Sequence, residues 1–408
     1  MDPILKMENK ISDDPVAVTD NVPATILVVD DDPDLELLVN QKFRRQIRND
    51  EFHFICVRSG EDALEKLREN EIDVLVTDIK LPGMDGLSLI SRLKTEYPLV
   101  RSVIISSYGD MRTIRRALNL GAFDFLTKPI DFDDLGITIT KTIEEALALK
   151  QAVIDRERLA AIRQELDIAR RIQLSMIPGI FPAFPERGEF EIFGEIITAR
   201  DVGGDFYDFC MIDDDRLYFA IGDASGKGVP AALFMAVTRT MVKADAVKGL
   251  PPDRCLSEAN KILCMENEFS MFITVWTGVL NTRTGEIVYS NGGHKLPFII
   301  RAGSGPELLD NTEGIALGVI GGDSLYGLKR VKLEPGDGII LYSDGVTEAM
   351  NKDGNLFTDK RLRDLLADDG FENPRDTVGR VLRDVEEFSR GVHLKDDIAL
   401  LAIRYNRP

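Results

Sequence analysis

Histidine and cysteine are scarce in this sequence, and long apolar runs are missing. The 408 residues include three histidines and four cysteines, and the cysteines form no CxxC pair. An HExxH zinc site and a Cys/His zinc finger are therefore excluded, so a bound metal must be held mainly by carboxylates. The longest runs without a charged residue, Phe269–Thr282 and Ile172–Pro185, are 14 residues each, which is too short for a membrane-spanning helix.

Positive charge is also in deficit. Lys and Arg number 50 against 69 Asp and Glu, and the net charge of −19 argues against a protein that coats nucleic acid, because phosphate would be repelled. The N-terminal sequence has no basic start followed by an apolar run, which favours a cytoplasmic setting. The 44% of hydrophobic and 29% of charged residues are typical of a folded protein, and the length predicts two or three domains.

The N-terminal third alternates between two patterns. Residues 1–22 are polar without periodicity, which predicts a flexible tail. Strand-length apolar runs then alternate with helical patterns five times, at 26–29, 52–57, 73–77, 102–106 and 123–127. Five strand–helix units predict an α/β domain over residues 23–138 with a doubly wound, five-stranded parallel sheet.

A long helical segment follows. Residues 135–176 lack proline and are rich in good helix formers, which predicts one extended helix within a linker over residues 139–180. Apolar residues form a seam along this helix, with polar Gln173 at a skipped position: Leu159, Ile162, Leu166, Ala169 and Met176. The seam predicts a parallel coiled coil that joins two copies of the chain. The alternative is an amphipathic helix packed on its own domain.

The remaining residues, 181–408, have a different texture. Short β-rich runs alternate with turns, and helical stretches interrupt them at 230–247, at 252–265 and after Asp359. This order predicts an α+β domain in which helices pack over a mixed or antiparallel sheet.

Acidic residues follow the predicted strands of the first domain. Asp30 and Asp31 come after the first strand, Asp78 after the third and Lys128 after the fifth. Because the carboxyl ends of parallel strands meet at one edge, we expect these side chains to lie together. Three clustered carboxylates repel each other, and Mg²⁺ with a phosphoryl group would neutralise them. Asp78 is then the candidate nucleophile for phosphoryl transfer.

These residues resemble the response-regulator receiver domain, over roughly residues 23–145. The resemblance rests on ILVVDDDPD, VTDIKLPGMDG, SSYGD and FLTKP in the expected order. It implies that Asp78 accepts phosphate from a histidine kinase. The other implied site residues are the Mg²⁺ ligands Asp30, Asp31 and the Lys80 carbonyl, the phosphate partner Lys128, and the switch residues Ser106 and Phe125. The alternative is a receiver used only for docking, without phosphorylation.

Aspartates stand beside glycines at four strand ends of the C-terminal part, in GGDFYD, GDASGKG, SDG and DD. Any one of these motifs alone is typical of a solvated turn. Together they supply hard oxygen ligands, which suit a pair of Mg²⁺ or Mn²⁺ ions better than zinc. Two such ions can activate water and clamp phosphoryl oxygens, so the predicted reaction is the hydrolysis of a phosphate ester.

This part resembles the SpoIIE/RsbU branch of the metal-dependent protein phosphatases of type 2C. The matching motifs are DVGGDFYDF, GDASGKGVPAALFM, SNGGHKLPF, LYSDGVTEA and KDDIALLAIRY. The resemblance implies a β-sandwich flanked by helices and a water nucleophile, so that no Cys or Ser nucleophile is needed. The implied ligands of the two ions are Asp205, Asp223, the Ala224 carbonyl and Asp344, with Asp396 or its neighbour Asp397.

The combined hypothesis is a two-component response regulator whose output is a phosphoserine/phosphothreonine protein phosphatase. From the resemblance, the expected substrate is a phosphorylated anti-sigma factor antagonist of the STAS type, and the linker helix would form a homodimer. No nucleic-acid or membrane partner is expected. The alternative is a non-catalytic adaptor that binds a sigma factor or an anti-sigma antagonist.

His294 is either a turn residue or a group that transfers protons or contacts substrate.

Overall fold

The computed structural model describes residues 23–107, 111–265, 267–301, 304–322, 325–368, 371 and 373–406. The predicted tail over residues 1–22 and the last three residues of the SSYGD motif lie outside this range. The chain forms two compact units, one ending at Ala161 and one beginning at Ile162. This division falls within the predicted linker, and each unit is described by itself.

The N-terminal unit is an α/β domain with a single parallel sheet. Its elements are β1 (Ala24–Val29), α1 (Leu35–Lys42), α2 (Arg44–Arg48), β2 (Phe52–Val57), α3 (Gly60–Glu69), β3 (Val74–Asp78), α4 (Gly86–Glu96), β4 (Arg101–Ser107), α5 (Met111–Leu120) and β5 (Asp124–Lys128). The strand order is β2-β1-β3-β4-β5, and all neighbouring strands are parallel. The predicted doubly wound, five-stranded sheet is confirmed.

Both faces of this sheet are buried. Successive side chains of a strand point to opposite faces. In β1, Ile26 and Val28 pack in a cluster with residues of α1, whereas Leu27 and Val29 pack in another cluster with residues of α3 and α4. This two-sided burial explains why the strands read as continuous apolar runs in the sequence.

A 45-residue helix, α6 (Phe132–Met176), follows β5. It begins three residues before the predicted start and ends at the predicted residue, just before Pro178, which cannot continue a helix. The extended linker helix is therefore confirmed. Leu159 and Ile162 of the predicted seam are 55% and 45% exposed. No helix within the described ranges, α6 included, is long and apolar enough to cross a lipid bilayer.

Besides the end of α6, the C-terminal unit contains two antiparallel sheets and five helices among its described residues. Its elements are β6 (Phe190–Ile197), β7 (Asp205–Met211), β8 (Arg216–Ala224), α7 (Val229–Val247), α8 (Pro252–Met265), β9 (Ile273–Asn281), β10 (Glu286–Gly292), β11 (Phe298–Ile300), β12 (Pro306–Leu308), β13 (Lys329–Lys332), β14 (Gly338–Tyr342), α9 (Asp344–Thr347), α10 (Thr358–Asp368), α11 (Pro374–Phe388) and β15 (Ile398–Tyr405). The sheets have the orders β13-β10-β9-β8-β7 and β12-β11-β14-β15-β6.

The main core lies between these two sheets. In β14, Ile339 and Leu341 join the central cluster together with residues of β8 and β9. The alternate residues Ile340 and Tyr342 face a second cluster, which contains side chains of α10 and α11. Side chains of α7 and α8 cover the other sheet. The predicted β-sandwich flanked by helices is confirmed.

Candidate functional sites

The acids of the N-terminal unit meet at the carboxyl edge of its sheet. Carboxylate oxygens of Asp30, Asp31 and Asp78 lie within 4.8 Å of one another, and no other group of three metal-ligating side chains this compact occurs within the described ranges. Asp30 and Asp78 are buried, whereas Asp31 is exposed. Hard carboxylate oxygens around a partly open position suit Mg²⁺, which keeps several waters when a protein binds it.

Lys128 supplies the positive charge of this site. Its Nζ lies 2.5 Å from Oδ2 of Asp78 and 2.9 Å from Oδ2 of Asp30. Burial alone would lower the pKa of Lys128, but its hydrogen bonds to the two carboxylates outweigh burial and raise the pKa. Lys128 therefore remains an ammonium and partly offsets the repulsion between the carboxylates.

The other predicted residues of this site lie around the same edge. The backbone N–H of Lys80 donates to Oδ1 of Asp78 over 3.1 Å, which holds the loop after β3 against the carboxylate. Ser106 is buried near the end of β4, the strand beside β3. Phe125 of β5 is half-buried against an apolar cluster that includes Ile104 and Ile114.

In the C-terminal unit, two of the predicted ligands face each other across a pair of strands. Asp205 at the start of β7 is the register partner of Asp223 near the end of β8. Burial and the neighbouring Asp223 raise the pKa of Asp205 well above its ordinary value. Burial and the charge of Asp344 raise the pKa of Asp223 to about 7. A buried acid that faces a half-buried acid is costly to ionise unless a proton or a cation compensates the charge.

Asp344 is the first residue of α9 and is half-buried. Burial, followed by the charges of Glu348 and Asp396, raises the pKa of its carboxyl group. The charges of Asp344 and Asp396 both raise the pKa of Asp223, which faces Asp205. The structure therefore brings these four predicted acids close enough to interact electrostatically.

Asp396 and Asp397 have different surroundings. The carboxylate of Asp397 is buried and accepts hydrogen bonds from the backbone N–H groups of Ala199 and Gly204, each over 2.7 Å. Burial nevertheless raises its pKa. Asp396 is half-exposed, and its Oδ2 lies 2.8 Å from Nζ of Lys227. Asp396 is therefore the more exposed of the two carboxylates, and Asp397 holds the loop before β7.

The donor set fits divalent ions. Within the described residues, the buried Oδ2 of Asp205 has no hydrogen-bond partner, which leaves a lone pair for a cation. A Cβ added to Gly204 would lie 2.8 Å from the carbonyl oxygen of Ala224, so glycine leaves this predicted ligand in place. The described acids of this unit form no trio as compact as the one around Asp78. Water and phosphoryl oxygens would complete the coordination, as Mg²⁺ prefers.

His294 bridges the two sheets of the sandwich. The Tyr342 carbonyl can only accept, so Nε2 of His294 carries the proton and donates over 3.2 Å, and Nδ1 accepts from the Thr274 hydroxyl over 2.8 Å. Burial lowers the pKa of His294 to about 4. A neutral imidazole with both nitrogens engaged has a structural role, which favours the first of the two interpretations from the sequence.

Two residues near the acids received no role from the sequence. Gln173, the polar residue that interrupts the seam of α6, is buried, and its amide exchanges two hydrogen bonds with the backbone of Gly203, over 2.6 and 3.1 Å. Lys227, in the GDASGKG motif, is paired with Asp396. In the sequence, Gln173 could have been found because it interrupts the apolar seam, and Lys227 because it stands between two glycines.

Comparison with known families agrees with this division of the chain. Residues 26–140 match the family model of the response regulator receiver domain, and residues 213–406 match that of Stage II sporulation protein E (SpoIIE).

Two curated proteins are similar to most of the chain. Protein IcfG of Synechocystis sp. is 27% identical over 301 residues, which cover 67% of this chain and 46% of IcfG. This chain therefore spans about half the length of that relative. Phosphoserine phosphatase RsbU of Bacillus subtilis is 27% identical over 276 residues, which cover 67% of this chain and 79% of RsbU.

A solved structure shares the fold of the C-terminal unit. The SiaA-PP2C domain of Pseudomonas aeruginosa aligns with a TM-score of 0.54 and 21% identity, covering 61% of this chain and 99% of that domain. The chain therefore carries a response-regulator receiver domain over residues 26–140 and a SpoIIE-type phosphatase domain over residues 213–406.

Proposed function

We propose that this chain hydrolyses phosphoserine or phosphothreonine in a protein substrate, under the control of phosphorylation at Asp78. The observation that carries the proposal is the facing pair of buried Asp205 and half-buried Asp223 at the sandwich edge, with Asp344 and Asp396 in the same electrostatic neighbourhood. Four acids of this kind are expensive to keep together without cations.

In this proposal two divalent metal ions are bound side by side. Asp205, Asp223 and the Ala224 carbonyl would hold one ion, and Asp344 and Asp396 would hold the other. Bound Mg²⁺ or Mn²⁺ supplies an activated water and a clamp for the phosphoryl oxygens. The protein contributes orientation, because Asp205 and Asp223 stand on neighbouring strands of a rigid sheet.

The receiver contributes the control. A carboxylate oxygen of Asp78 forms a bond to phosphorus while the bond between phosphorus and the histidine nitrogen of a kinase breaks. Mg²⁺ held by Asp30, Asp31 and the Lys80 carbonyl would neutralise the phosphoryl oxygens, and Lys128 would move from the Asp78 carboxylate to the new phosphoryl group. The resemblance to receiver domains implies that Ser106 and Phe125 are the residues whose side chains would respond to that change.

The linker connects this event to the phosphatase. Helix α6 is continuous from Phe132 to Met176, and Gln173 near its end is hydrogen bonded to Gly203, two residues before Asp205. A change in α6 would therefore act on the segment that positions a predicted metal ligand. The exposed Leu159 and Ile162 would pair two copies of the chain through this helix.

The similarity to a phosphoserine phosphatase favours a phosphoprotein substrate. The resemblance of the C-terminal motifs to the SpoIIE/RsbU branch implies that this substrate is a phosphorylated anti-sigma factor antagonist of the STAS type, within a partner-switching pathway. A histidine kinase would be the phosphodonor for the receiver.

Hydrolysis of a small phosphate ester by the full chain tests the catalytic part. Activity should require Mn²⁺ or Mg²⁺. It should fall at least a hundredfold in Asp223→Asn, because one carboxylate ligand of the two metal ions is lost. Asp214→Asn, an exposed aspartate on the turn before β8, is the matched control and should retain full activity. Equal rates with and without metal would contradict the proposal and favour the adaptor.

Acetyl phosphate tests the control. In the wild-type chain it should change the phosphatase rate, and Asp78→Asn should keep the basal rate but lose the change. Asp50→Asn, on the receiver surface, should respond as the wild type does. A persistent response in Asp78→Asn would assign regulation to another site.

A further inference from the structure

Lys227 is a cation at the edge of the candidate metal site. Its Nζ donates to Oδ2 of Asp396 over 2.8 Å and also to the backbone carbonyl of Lys395. Lys227 follows Asp223 by four residues, in the loop between Ala224, the last residue of β8, and α7. The Lys227 ammonium is therefore hydrogen bonded to Oδ2 of Asp396, the oxygen that would ligate a divalent ion.

Both oxygens of Asp396 are already engaged. Oδ1 accepts from the backbone N–H of Asp397 over 3.0 Å, and Oδ2 accepts from Lys227. A divalent ion bound to Oδ2 at about 2.1 Å would lie against the ammonium, and two cations at that separation repel strongly. The ion and Lys227 must therefore compete for Asp396.

The loop is built so that Lys227 can move. Gly226 and Gly228 on either side have φ values of 85° and 75°, a region that glycine adopts without strain. The Lys227 side chain is 38% exposed, so solvent is available along its path. Gly228 is also the N-cap of α7, whose dipole adds positive potential beside the loop.

We propose that the Lys227 ammonium neutralises Asp396 until a divalent ion binds there, and that it then moves to the phosphoryl group of the substrate. This inference rests on the proposed phosphatase function and adds a phosphate-binding residue to it. A second lysine near the acids, Lys295, does not fit this role, because its Nζ lies 3.6 Å from Oδ2 of Asp359.

Binding of Mn²⁺ to the full chain tests the competition without any turnover. Free Mn²⁺ is measured by electron paramagnetic resonance in an Asp31→Asn background, which weakens the receiver site. Lys227→Met should bind Mn²⁺ about two- to fivefold more tightly than the parent chain, the range expected from losing a half-exposed ion pair. Lys227→Arg should stay near the parent. Lys248→Met removes a lysine of another Asp pair and should change nothing.

Inorganic phosphate tests the second position of the ammonium. In the parent chain phosphate should tighten Mn²⁺ binding, because it draws Lys227 away from Asp396. This gain should shrink about two- to fivefold in Lys227→Met. The KM for a small phosphate ester should rise in Lys227→Met and be restored in Lys227→Arg.

The outcomes separate this inference from the phosphatase proposal. If Asp396→Asn weakens Mn²⁺ binding while Lys227→Met leaves the affinity and the phosphate effect unchanged, the role of Lys227 is refuted and the phosphatase proposal stands. If Asp396→Asn also leaves Mn²⁺ binding unchanged, no ion is held at Asp396 and the role of Lys227 is refuted, while the metal dependence of the rate still decides the phosphatase proposal.

Discussion

The buried His294 makes the stability of the phosphatase unit depend on pH in a calculable way. Its pKa falls from the ordinary 6.5 to about 4 in the folded chain. Burial is the main cause, and the nearby Lys295 lowers the pKa further, while the hydrogen bond to the Tyr342 carbonyl partly opposes them. Because the unfolded chain takes up the proton first, stability is fully present above pH 6.5 and is lost as the pH falls towards 4.

The magnitude follows from the two pKa values. Each tenfold difference in proton affinity corresponds to 1.36 kcal/mol, so the full loss below pH 4 is about 3 kcal/mol. At pH 5 the loss is about 2 kcal/mol, because the folded histidine is still mostly neutral there. This is a large part of the 5–15 kcal/mol that is typical of a folded domain.

The fluorescence of Trp276 provides the assay. It is the only tryptophan of the chain and is fully buried in the sandwich core, so denaturant unfolding followed by its emission reports on this unit. The carboxylates titrate alike in wild type and in His294→Gln, so the difference between the two chains isolates the histidine. Between pH 7.5 and pH 5 the wild type should lose about 2 kcal/mol more than His294→Gln.

Equal losses in the two chains would refute this reasoning. A second readout is direct, because the three histidines can be followed separately by NMR. A pKa near 6.5 for the His294 ring would show that the imidazole is not held neutral between Thr274 and Tyr342.

Two further predictions concern the metal site and the linker. Gly204→Ala places a Cβ 2.8 Å from the Ala224 carbonyl oxygen, so the variant should bind Mn²⁺ about tenfold more weakly in calorimetry. Gly188→Ala is the control, because the space around its added Cβ is open, and it should bind Mn²⁺ as the wild type does. Ile162→Glu puts a charge into the exposed seam and should halve the mass measured by light scattering. Ala161→Glu, on another face of α6, should leave the mass unchanged. An unaltered mass in both variants would show that the seam is not the interface.

The fold of the N-terminal unit was predictable because its strands are buried on both faces. Runs such as ILVV and SVIIS stand out from their surroundings, and parallel pairing forces their carboxyl ends to one edge. Asp30, Asp78 and Lys128 could therefore be placed together from their positions in sequence alone. The structure adds the distances and the double pairing of Lys128.

The different surroundings of Asp396 and Asp397 were not predictable, since both are aspartates and neighbours on the chain. In the structure, backbone N–H groups of Ala199 and Gly204, almost 200 residues earlier, donate to the Asp397 carboxylate but not to that of Asp396. Such long-range hydrogen bonds leave no periodic signal in a sequence.

The seam of α6 shows a related limit. Periodicity locates an apolar stripe but does not say which surface covers it. Leu159 and Ile162 are exposed, in keeping with a partner helix, whereas Gln173 further along the same stripe is buried against Gly203 of its own chain. The end of this helix thus packs on its own chain, whereas the pairing of two copies through Leu159 and Ile162 stays a prediction.

The two acidic sites solve the same electrostatic problem differently. In the receiver, Lys128 contacts both buried carboxylates, so the site carries its own counter-charge. In the phosphatase unit, Lys227 pairs with half-exposed Asp396, while buried Asp205 and half-buried Asp223 face each other with raised pKa values. Repulsion at the second pair is thus relieved by protons or by added cations rather than by a neighbouring lysine. Occupation of the phosphatase site by metal should therefore stabilise its unit, because a ligand that binds only the folded state shifts the folding equilibrium towards it.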